Sequence, residues 1–256
     1  MLHTMKLNDE PFGMIVNGRK TVELRLNDEK RRKVRPGDFI EFTHISIPEQ
    51  KVTVRVTELY HYDSFPELLS ALPKESCGFA PEDTVPPDYM DAFYPPEEQK
   101  RYGALGIGFR LTGLQKFIDA QEHGYEAGEV YPTAFAEIRA GKKDTHWMWY
   151  VFPQIHGLGY DATTEYFALS GIDEARDYLD HPVLGVRLRD ITAELMKLGT
   201  DDPMVVFGYP DAYKLRSCMT LFVHAAPEEE LFRSVLEKYC MGTEDDDTLT
   251  ILGIDQ

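Results

Sequence analysis

Near its start the chain has the sequence GRKTVELR at residues 18–25, a turn followed by alternating apolar and charged side chains. Successive side chains of a strand point to opposite faces, so Glu23 and Arg25 are expected to share one face. Lys20 lies at the mouth of this strand, where the turn at Gly18 can direct it toward the same cleft. Lys and Arg suit a phosphate or a base carbonyl, and Glu accepts from an exocyclic amine. The stretch predicts a polar binding site, although its spacing also fits an ordinary Glu–Arg pair on an exposed strand.

Short strands separated by turns surround this motif. Period-2 alternation predicts strands, Gly and Pro predict the turns between them, and two short amphipathic stretches predict helices. This pattern is typical of a small α+β domain built on a β-barrel. The predicted strands are 22–26, 39–43, 51–57 and 106–111, and the predicted helices are 9–17 and 65–72.

Composition places the chain among ordinary globular proteins. Its 256 residues are 43% hydrophobic and 28% charged, and that length suggests two domains. We find no apolar run long enough to span a bilayer and no signal-peptide core, so we expect a cytoplasmic protein with no membrane partner. Cys77, Cys218 and Cys240 are too few and too scattered for a disulfide framework or a CxxC site. The histidines are scattered without the i, i+4 spacing of a helix-borne metal pair, and the chain has no Walker or GxGxxG loop, so we expect no metal and no cofactor.

The net charge of −17 is distributed unevenly. Residues 113–256 carry 26 acidic and 12 basic side chains, whereas residues 19–35 carry eight basic and three acidic ones. The overall charge opposes indiscriminate binding to nucleic acid. The local basic patch can still hold phosphates over about one Debye length, roughly 8 Å in physiological salt. A solvated loop rich in Lys and Arg is the alternative interpretation.

The motif at residues 18–25, the basic segment 30–33 and the turn at 36–38 together resemble the signature of the ASCH domain, a PUA-like β-barrel family. The resemblance covers about residues 1–112 and implies a cleft between barrel and helix that receives RNA or a modified nucleoside. Carried over to this sequence, it implies that the cleft is lined by Lys20, Thr21, Glu23 and Arg25, and that phosphate is contacted by Arg31, Arg32 and Arg35.

The same resemblance also implies an enzymatic alternative. Some ASCH relatives hydrolyse N4-acetylcytidine with a Lys, a Thr three residues later and a downstream Glu. Lys20 matches the Lys and Glu75 is the counterpart of the downstream Glu, but Glu23 occupies the position of the Thr. An amidohydrolase or ribonuclease would then use Lys20 and Glu23 to activate water. A salt-bridged Lys stays protonated, which favours binding over hydrolysis.

From Leu114 onward the apolar spacing becomes helical. Leu184, Leu188, Ile191 and Leu195 recur at the intervals of one helix face, and no β alternation is visible after residue 112. We therefore predict two domains, an α+β PUA-like barrel at residues 1–112 and an all-α domain at residues 113–256.

The helical half contains one concentrated aromatic cluster, with the sequence HWMWYVFPQ at residues 146–154. Such a run packs a core in many helical domains, but aromatic walls with a few polar groups also form ligand pockets. As a pocket, it would use His146, Trp147, Trp149 and Gln154 together with Lys214, Arg216 and Ser217.

This half resembles an uncharacterised all-helical bacterial family that is sometimes labelled calpastatin. The resemblance rests on residues 117–121, 145–154, 157–159, 181–185 and 214–217. It implies an α fold and no particular reaction. A role for the acidic half in protein interaction or regulation is a further alternative.

Overall fold

The computed structural model describes residues 1–254, which form two compact units, Met1–Thr112 and a second that begins at Gly113. The first unit is a five-stranded sheet with helices, and the second is helical. The predicted fold class, an α+β unit followed by an all-α unit, is confirmed. No helix within residues 1–254 combines the length and apolarity needed to cross a bilayer.

The first unit has the strands β1 (Leu2–Leu7), β2 (Val22–Leu26), β3 (Phe39–His44), β4 (Lys51–Tyr62) and β5 (Ala104–Leu111). They form one mixed sheet with the strand order β1-β3-β4-β5-β2. Strand β1 pairs in parallel with β3, and the other neighbours pair antiparallel. Strands β1 and β2 are the edges, so the predicted barrel is a half-barrel. The helices of this unit are α1 (Asp9–Val16), α2 (Phe65–Ala71) and α3 (Pro96–Tyr102).

The four predicted strands are present, and the chain adds one at its start. Strand β1 was not predicted. Its partner, β3, lies more than thirty residues away, and its buried alternation is limited to Met5 and Leu7, with polar residues around them. Two apolar clusters pack against the sheet. One includes Phe12 and Ile15 of α1, and the other includes Phe65 of α2.

The second unit consists of helices, and its described part contains no strand, only an isolated bridge between Ile155 and Leu169. Its centre is the helix Asp211–Ala225, in which ten side chains are buried and which packs against the helices Ile172–Asp180 and Glu230–Cys240. The helices are α4 (Gln115–His123), α5 (Tyr131–Ala140), α6 (Met148–Val151), α7 (Ala162–Tyr166), α8 (Ile172–Asp180), α9 (Leu184–Met196), α10 (Pro203–Phe207), α11 (Asp211–Ala225), α12 (Glu230–Cys240) and α13 (Asp246–Leu252).

The corner between α8 and α9 depends on a close backbone approach. Gly185, in the first turn of α9, is buried, and a Cβ atom there would overlap the carbonyl oxygen of Leu179 in α8. Only a residue without a side chain allows the two helices to meet at this distance.

We predict that Gly185→Ala lowers the free energy of unfolding by about 2–3 kcal/mol, because the backbone of α8 must move away. Gly199→Ala is the matched control, since its Cβ would meet no atom within 4 Å, and it should change stability by less than about 0.5 kcal/mol. Denaturant unfolding measures both variants. Equal effects would contradict this account of the corner.

His181 caps the same corner. Its Nδ1 accepts the backbone N–H groups of Val183 and Leu184, both at 3.3 Å, so the ring must be unprotonated at this nitrogen. Burial, reinforced by the charge of Arg187, lowers the pKa of His181 to about 4. The folded state therefore favours the neutral imidazole, whereas the unfolded chain titrates near the ordinary value of about 6.5.

Because the folded pKa of His181 is the lower one, its contribution to stability is complete above about pH 6.5 and is lost as the pH falls toward 4. We predict that the wild type loses up to about 3 kcal/mol more than His181→Asn between these pH values, since Asn offers an acceptor oxygen that does not titrate. Urea unfolding at several pH values measures the difference. Parallel pH profiles for the two proteins would refute it.

Candidate functional site

A cleft of about 970 Å³ opens in the first unit. Its floor comes from the start of β2, one wall from α1 and the end of β1, and the opposite wall from the segment 75–94 between α2 and α3. The sequence motif at residues 18–25 therefore lies along the bottom of this cleft.

The floor of the cleft carries one carboxylate between two cations. Oε1 of Glu23 lies 2.9 Å from Nε of Arg25, and Oε2 of Glu23 lies 3.4 Å from Nζ of Lys20. Lys20 and Glu23 are each only 6% exposed. Burial makes such an arrangement sensitive to loss of any member, because an unpaired buried charge is costly.

Lys20 reaches this group from outside the strand. Strand β2 begins at Val22, and the backbone N–H of Lys20 instead donates to the carbonyl of Met14 in α1, at 3.1 Å. Its ammonium donates to the carbonyl of Cys77 at 2.8 Å. The backbone turn that follows α1 thus places Lys20 beside Glu23.

Arg25 joins the two edges of the sheet. Its Nη2 donates to the carbonyl of Lys6 in β1 at 2.9 Å, while its Nε faces Glu23 in the same strand. Burial lowers the pKa of Arg25, but the negative charge of Glu23 and the contact with Tyr94 outweigh burial and raise it. The guanidinium is therefore a permanent cation that holds β1 and β2 together.

Aromatic rings form the wall opposite α1. The rings of Phe79 and Tyr89 meet edge to face with centroids 5.2 Å apart, and Tyr89 lies 5.7 Å from Phe93. Tyr94 stacks on Phe65 with a centroid distance of 5.8 Å. These rings offer flat apolar surface beside the polar floor. None of these rings was among the predicted site residues. Their signal in the sequence is a concentration of aromatic residues in a segment rich in turn residues.

The charges that line the cleft balance. The basic side chains are Lys6, Arg19, Lys20 and Arg25, and the acidic ones are Glu10, Glu23, Glu75 and Asp83. A neutral lining disfavours a polyphosphate, which would be drawn to surplus positive charge. Glu75 contributes to the wall from a short 3-10 helix, Glu75–Cys77.

The structure keeps the remaining predicted residues of this unit away from the cleft. Arg31 pairs with Asp28 at 2.6 Å, and Arg35 donates to the carbonyls of Arg32 and Val34. The side chain of Thr21 is exposed, while its backbone N–H bonds to Ser76. None of Thr21, Arg31, Arg32 and Arg35 lines the cleft. The basic segment is occupied with local hydrogen bonds, which spacing in the sequence does not reveal.

The aromatic cluster of the second unit divides into core and surface. Trp147 is fully buried, and its Nε1 donates to Glu137 at 2.8 Å, which matches the core interpretation. Trp149 is half-buried, donates to Thr164 at 3.2 Å, and carries the ammonium of Lys214 at 4.5 Å from its ring centroid. Of the predicted pocket residues, the structure therefore brings Trp149 and Lys214 together.

The other members of that predicted pocket have separate roles. Arg216 pairs with Asp245 at 3.2 Å, and the hydroxyl of Ser217 donates to the carbonyl of Tyr213 within its own helix. His146 is exposed, and Gln154 accepts from Leu169 through its backbone. Within residues 1–254, no group of three or more His, Cys, Asp or Glu side chains is placed to hold a metal ion.

The half-barrel with its lateral cleft defines an α+β unit of the PUA-like class. Residues 5–113 match the family model described as the ASCH domain, and residues 111–252 match the model described as a protein of unknown function, DUF1810. The chain thus carries an ASCH domain at its N-terminus and belongs to the DUF1810 family through its helical unit. Both resemblances noted in the sequence are confirmed.

Solved structures similar to this chain include proteins described as hypothetical. The conserved hypothetical protein Rv1873 from Mycobacterium tuberculosis shares 38% identity over 56% of this chain and 99% of its own, with a TM-score of 0.53. Hypothetical protein PH0355 shares 32% identity over 43% of this chain and 99% of its own, with a TM-score of 0.38. Protein PF0455 from Pyrococcus furiosus shares 32% identity over 43% and 97%, with a TM-score of 0.36. No curated protein matches the chain.

Gly78 shapes the position of Lys20. It has a φ of +95°, and a Cβ there would lie 3.0 Å from Sδ of Met14 and 3.4 Å from Cδ of Lys20. Gly18 also has a positive φ, +75°, but its Cβ would meet no atom within 4 Å.

We predict that Gly18→Ala costs about 1 kcal/mol of stability for backbone strain alone, and that Gly78→Ala costs about 2–3 kcal/mol because the contacts add to it. Chemical denaturation of both variants measures the difference. Equal losses would show that Lys20 does not depend on Gly78.

Proposed function

We propose that the first unit binds a nucleoside, modified on its base or exposed in RNA, within the cleft. The observation that carries this proposal is the buried group of Lys20, Glu23 and Arg25 at the foot of an aromatic wall. A nucleobase has the matching chemistry, since it combines a flat π-face with carbonyl acceptors and amine donors at its edge.

Each element of the cleft has a separate part in this binding. The carboxylate of Glu23 accepts from an exocyclic amine, while the ammonium of Lys20 and the guanidinium of Arg25 suit base carbonyl oxygens. The half-buried ring of Tyr94, beside Arg25, provides surface for stacking, which is worth about 1–3 kcal/mol per base. Together these contacts orient a base by its edge and hold it by its face.

A single nucleoside fits the charges of this cleft better than a long RNA strand. Strand binding depends on rows of phosphate contacts, and Arg31, Arg32 and Arg35 lie outside the cleft lining. The acidic and basic side chains of the lining are equal in number, so the cleft offers no surplus charge for a polyanion. Recognition of the base therefore dominates the proposed binding.

Hydrolysis of an acylated base by the same residues is the second candidate. Glu23 lies between two cations in the floor of the cleft, and Glu75 contributes to the wall. In that reaction, Glu23 would take a proton from water while the water oxygen attacks the amide carbon. Lys20 would stabilise the resulting oxyanion. The carbon–nitrogen bond would then break as Glu23 returns the proton to the amine nitrogen, which releases the base and a carboxylic acid. Lys20 is held by its ion pair with Glu23 and by the carbonyl of Cys77, a position that suits this electrostatic part and also simple binding. Cleavage of an RNA strand is less favoured, because the lining is balanced in charge.

For the helical unit we propose a part in protein interaction. The support is its acidic surplus, 26 acidic against 12 basic residues in 113–256, together with exposed apolar side chains at Met204, Val205, Tyr209 and Tyr213. Exposed apolar groups of this kind are commoner at interaction surfaces than elsewhere on a soluble protein.

The test of nucleoside binding is equilibrium dialysis against a pool of modified nucleosides that includes N4-acetylcytidine, followed by mass spectrometry of both chambers. We predict that the wild type retains at least one nucleoside and that Glu23→Gln weakens its retention at least about tenfold, because two buried cations lose their carboxylate. Retention should change less than about threefold between about 50 and 500 mM salt.

The matched control combines Arg31→Gln, Arg32→Gln and Arg35→Gln, which removes charge outside the cleft and should leave retention unchanged. A deacylated product formed by the wild type and absent with Glu23→Gln would establish the hydrolytic candidate. No retained nucleoside and no product would refute the proposed function, and loss of retention in the arginine control would relocate the site to the basic segment.

A further inference from the structure

The cleft has two levels that differ in exposure and chemistry. On its floor, Lys20 and Glu23 are each 6% exposed, whereas at its mouth Tyr89 is 39% and Phe93 51% exposed. Ligand pockets commonly measure about 300–1,000 Å³, and this cleft of about 970 Å³ lies at the upper end. A base held at the floor therefore leaves the mouth free for a second part of the ligand.

The mouth combines aromatic rings with acidic side chains. Phe79, Tyr89 and Phe93 form a continuous chain of ring contacts. Glu10, in the first turn of α1, lines the same cleft, and it lies close enough to Tyr89 that its charge adds to burial in raising the pKa of the phenol. No Lys or Arg within residues 1–254 stacks on these three rings. Ring faces beside a carboxylate attract an organic cation.

Lys6 and Arg19 also contribute cations to the lining of the cleft. Arg19 follows the far end of α1, where it is held by Asn17, and the eight residues of α1 span about 12 Å. Lys6 lies at the edge of the sheet, where its carbonyl accepts from Arg25. The rings that contact Tyr89 are Phe79 and Phe93, and the charged group that acts on its phenol is the carboxylate of Glu10, so the environment of Tyr89 is acidic and aromatic.

We propose that the mouth of the cleft is a cation subsite, and that the ligand class is a nucleoside whose base carries a positively charged aminoalkyl substituent. This inference rests on the proposed function, because the base must occupy the floor. A second nucleotide at the mouth is disfavoured, since its phosphate would approach the carboxylates of Glu10, Glu75 and Asp83.

The test compares two ligands of equal size and unequal charge. The probes are N4-(4-aminobutyl)cytidine and N4-pentylcytidine, whose substituents differ by an ammonium in place of a methyl group. We expect the wild type to bind the aminobutyl compound about tenfold more tightly, as measured by isothermal titration calorimetry. This preference should fall below about twofold in Glu10→Gln and in Tyr89→Leu, while affinity for the pentyl compound remains within about twofold.

Glu58→Gln is the matched control. Glu58 is also an exposed carboxylate beside an aromatic residue, since it accepts from the hydroxyl of Tyr60 at 2.7 Å, but it lies outside the cleft. Its removal changes the net charge by the same amount and should leave the preference intact. Two results would overturn the cation subsite and leave the proposed function standing. One is equal affinity of the wild type for the two compounds, and the other is a preference that survives in Glu10→Gln.

If neither cytidine binds, that result counts against the proposed function. A second probe then tests the cation subsite separately. Spermidine carries the cationic group without a base, and its binding is followed by NMR through the ring resonances of Tyr89. Shifts in the wild type and in Glu58→Gln, absent from Glu10→Gln, would support the cation subsite on its own. Unchanged ring resonances of Tyr89 would overturn the cation subsite as well as the proposed nucleoside binding.

Discussion

The guanidinium of Arg25 is the contact on which the site depends. It reaches from one edge strand of the half-barrel to a carbonyl of the other edge, and in the same position it faces the carboxylate of Glu23. One side chain thus bridges β1 and β2 and pairs with the acceptor on the floor of the cleft. Because a guanidinium stays charged and donates in a fixed plane, it suits this double role better than a flexible ammonium.

The part of this arrangement that is local could be predicted from the sequence. Alternation along residues 22–26 placed Glu23 and Arg25 on one face, and they are paired. The position of Lys20 is different, because it follows from a hydrogen bond between its backbone and the end of α1. The turn at Gly18 indicated that the chain bends before the strand, but the position of Lys20 is determined by the packing of α1.

Two other features depended on contacts that no local pattern contains. The aromatic wall comes from a segment without helical or strand periodicity, so its rings were visible in the sequence only as a concentration of residues such as Tyr89 and Phe93. In the helical unit, the same run of aromatic residues supplied both a buried anchor, Trp147, and a half-buried ring, Trp149. The neighbours that decide between these outcomes, Glu137 and Lys214, lie ten or more residues away.

The division of the cleft between sheet and segment 75–94 has an evolutionary consequence. The sheet supplies the charged floor, which tolerates little change because each of its charges depends on the others. The segment supplies most of the aromatic surface and meets the floor through main-chain atoms, such as the carbonyl of Cys77 that holds Lys20. Main-chain contacts survive side-chain replacement, so substitutions in this excursion can retune ligand choice without removing the support that it gives to the charged floor.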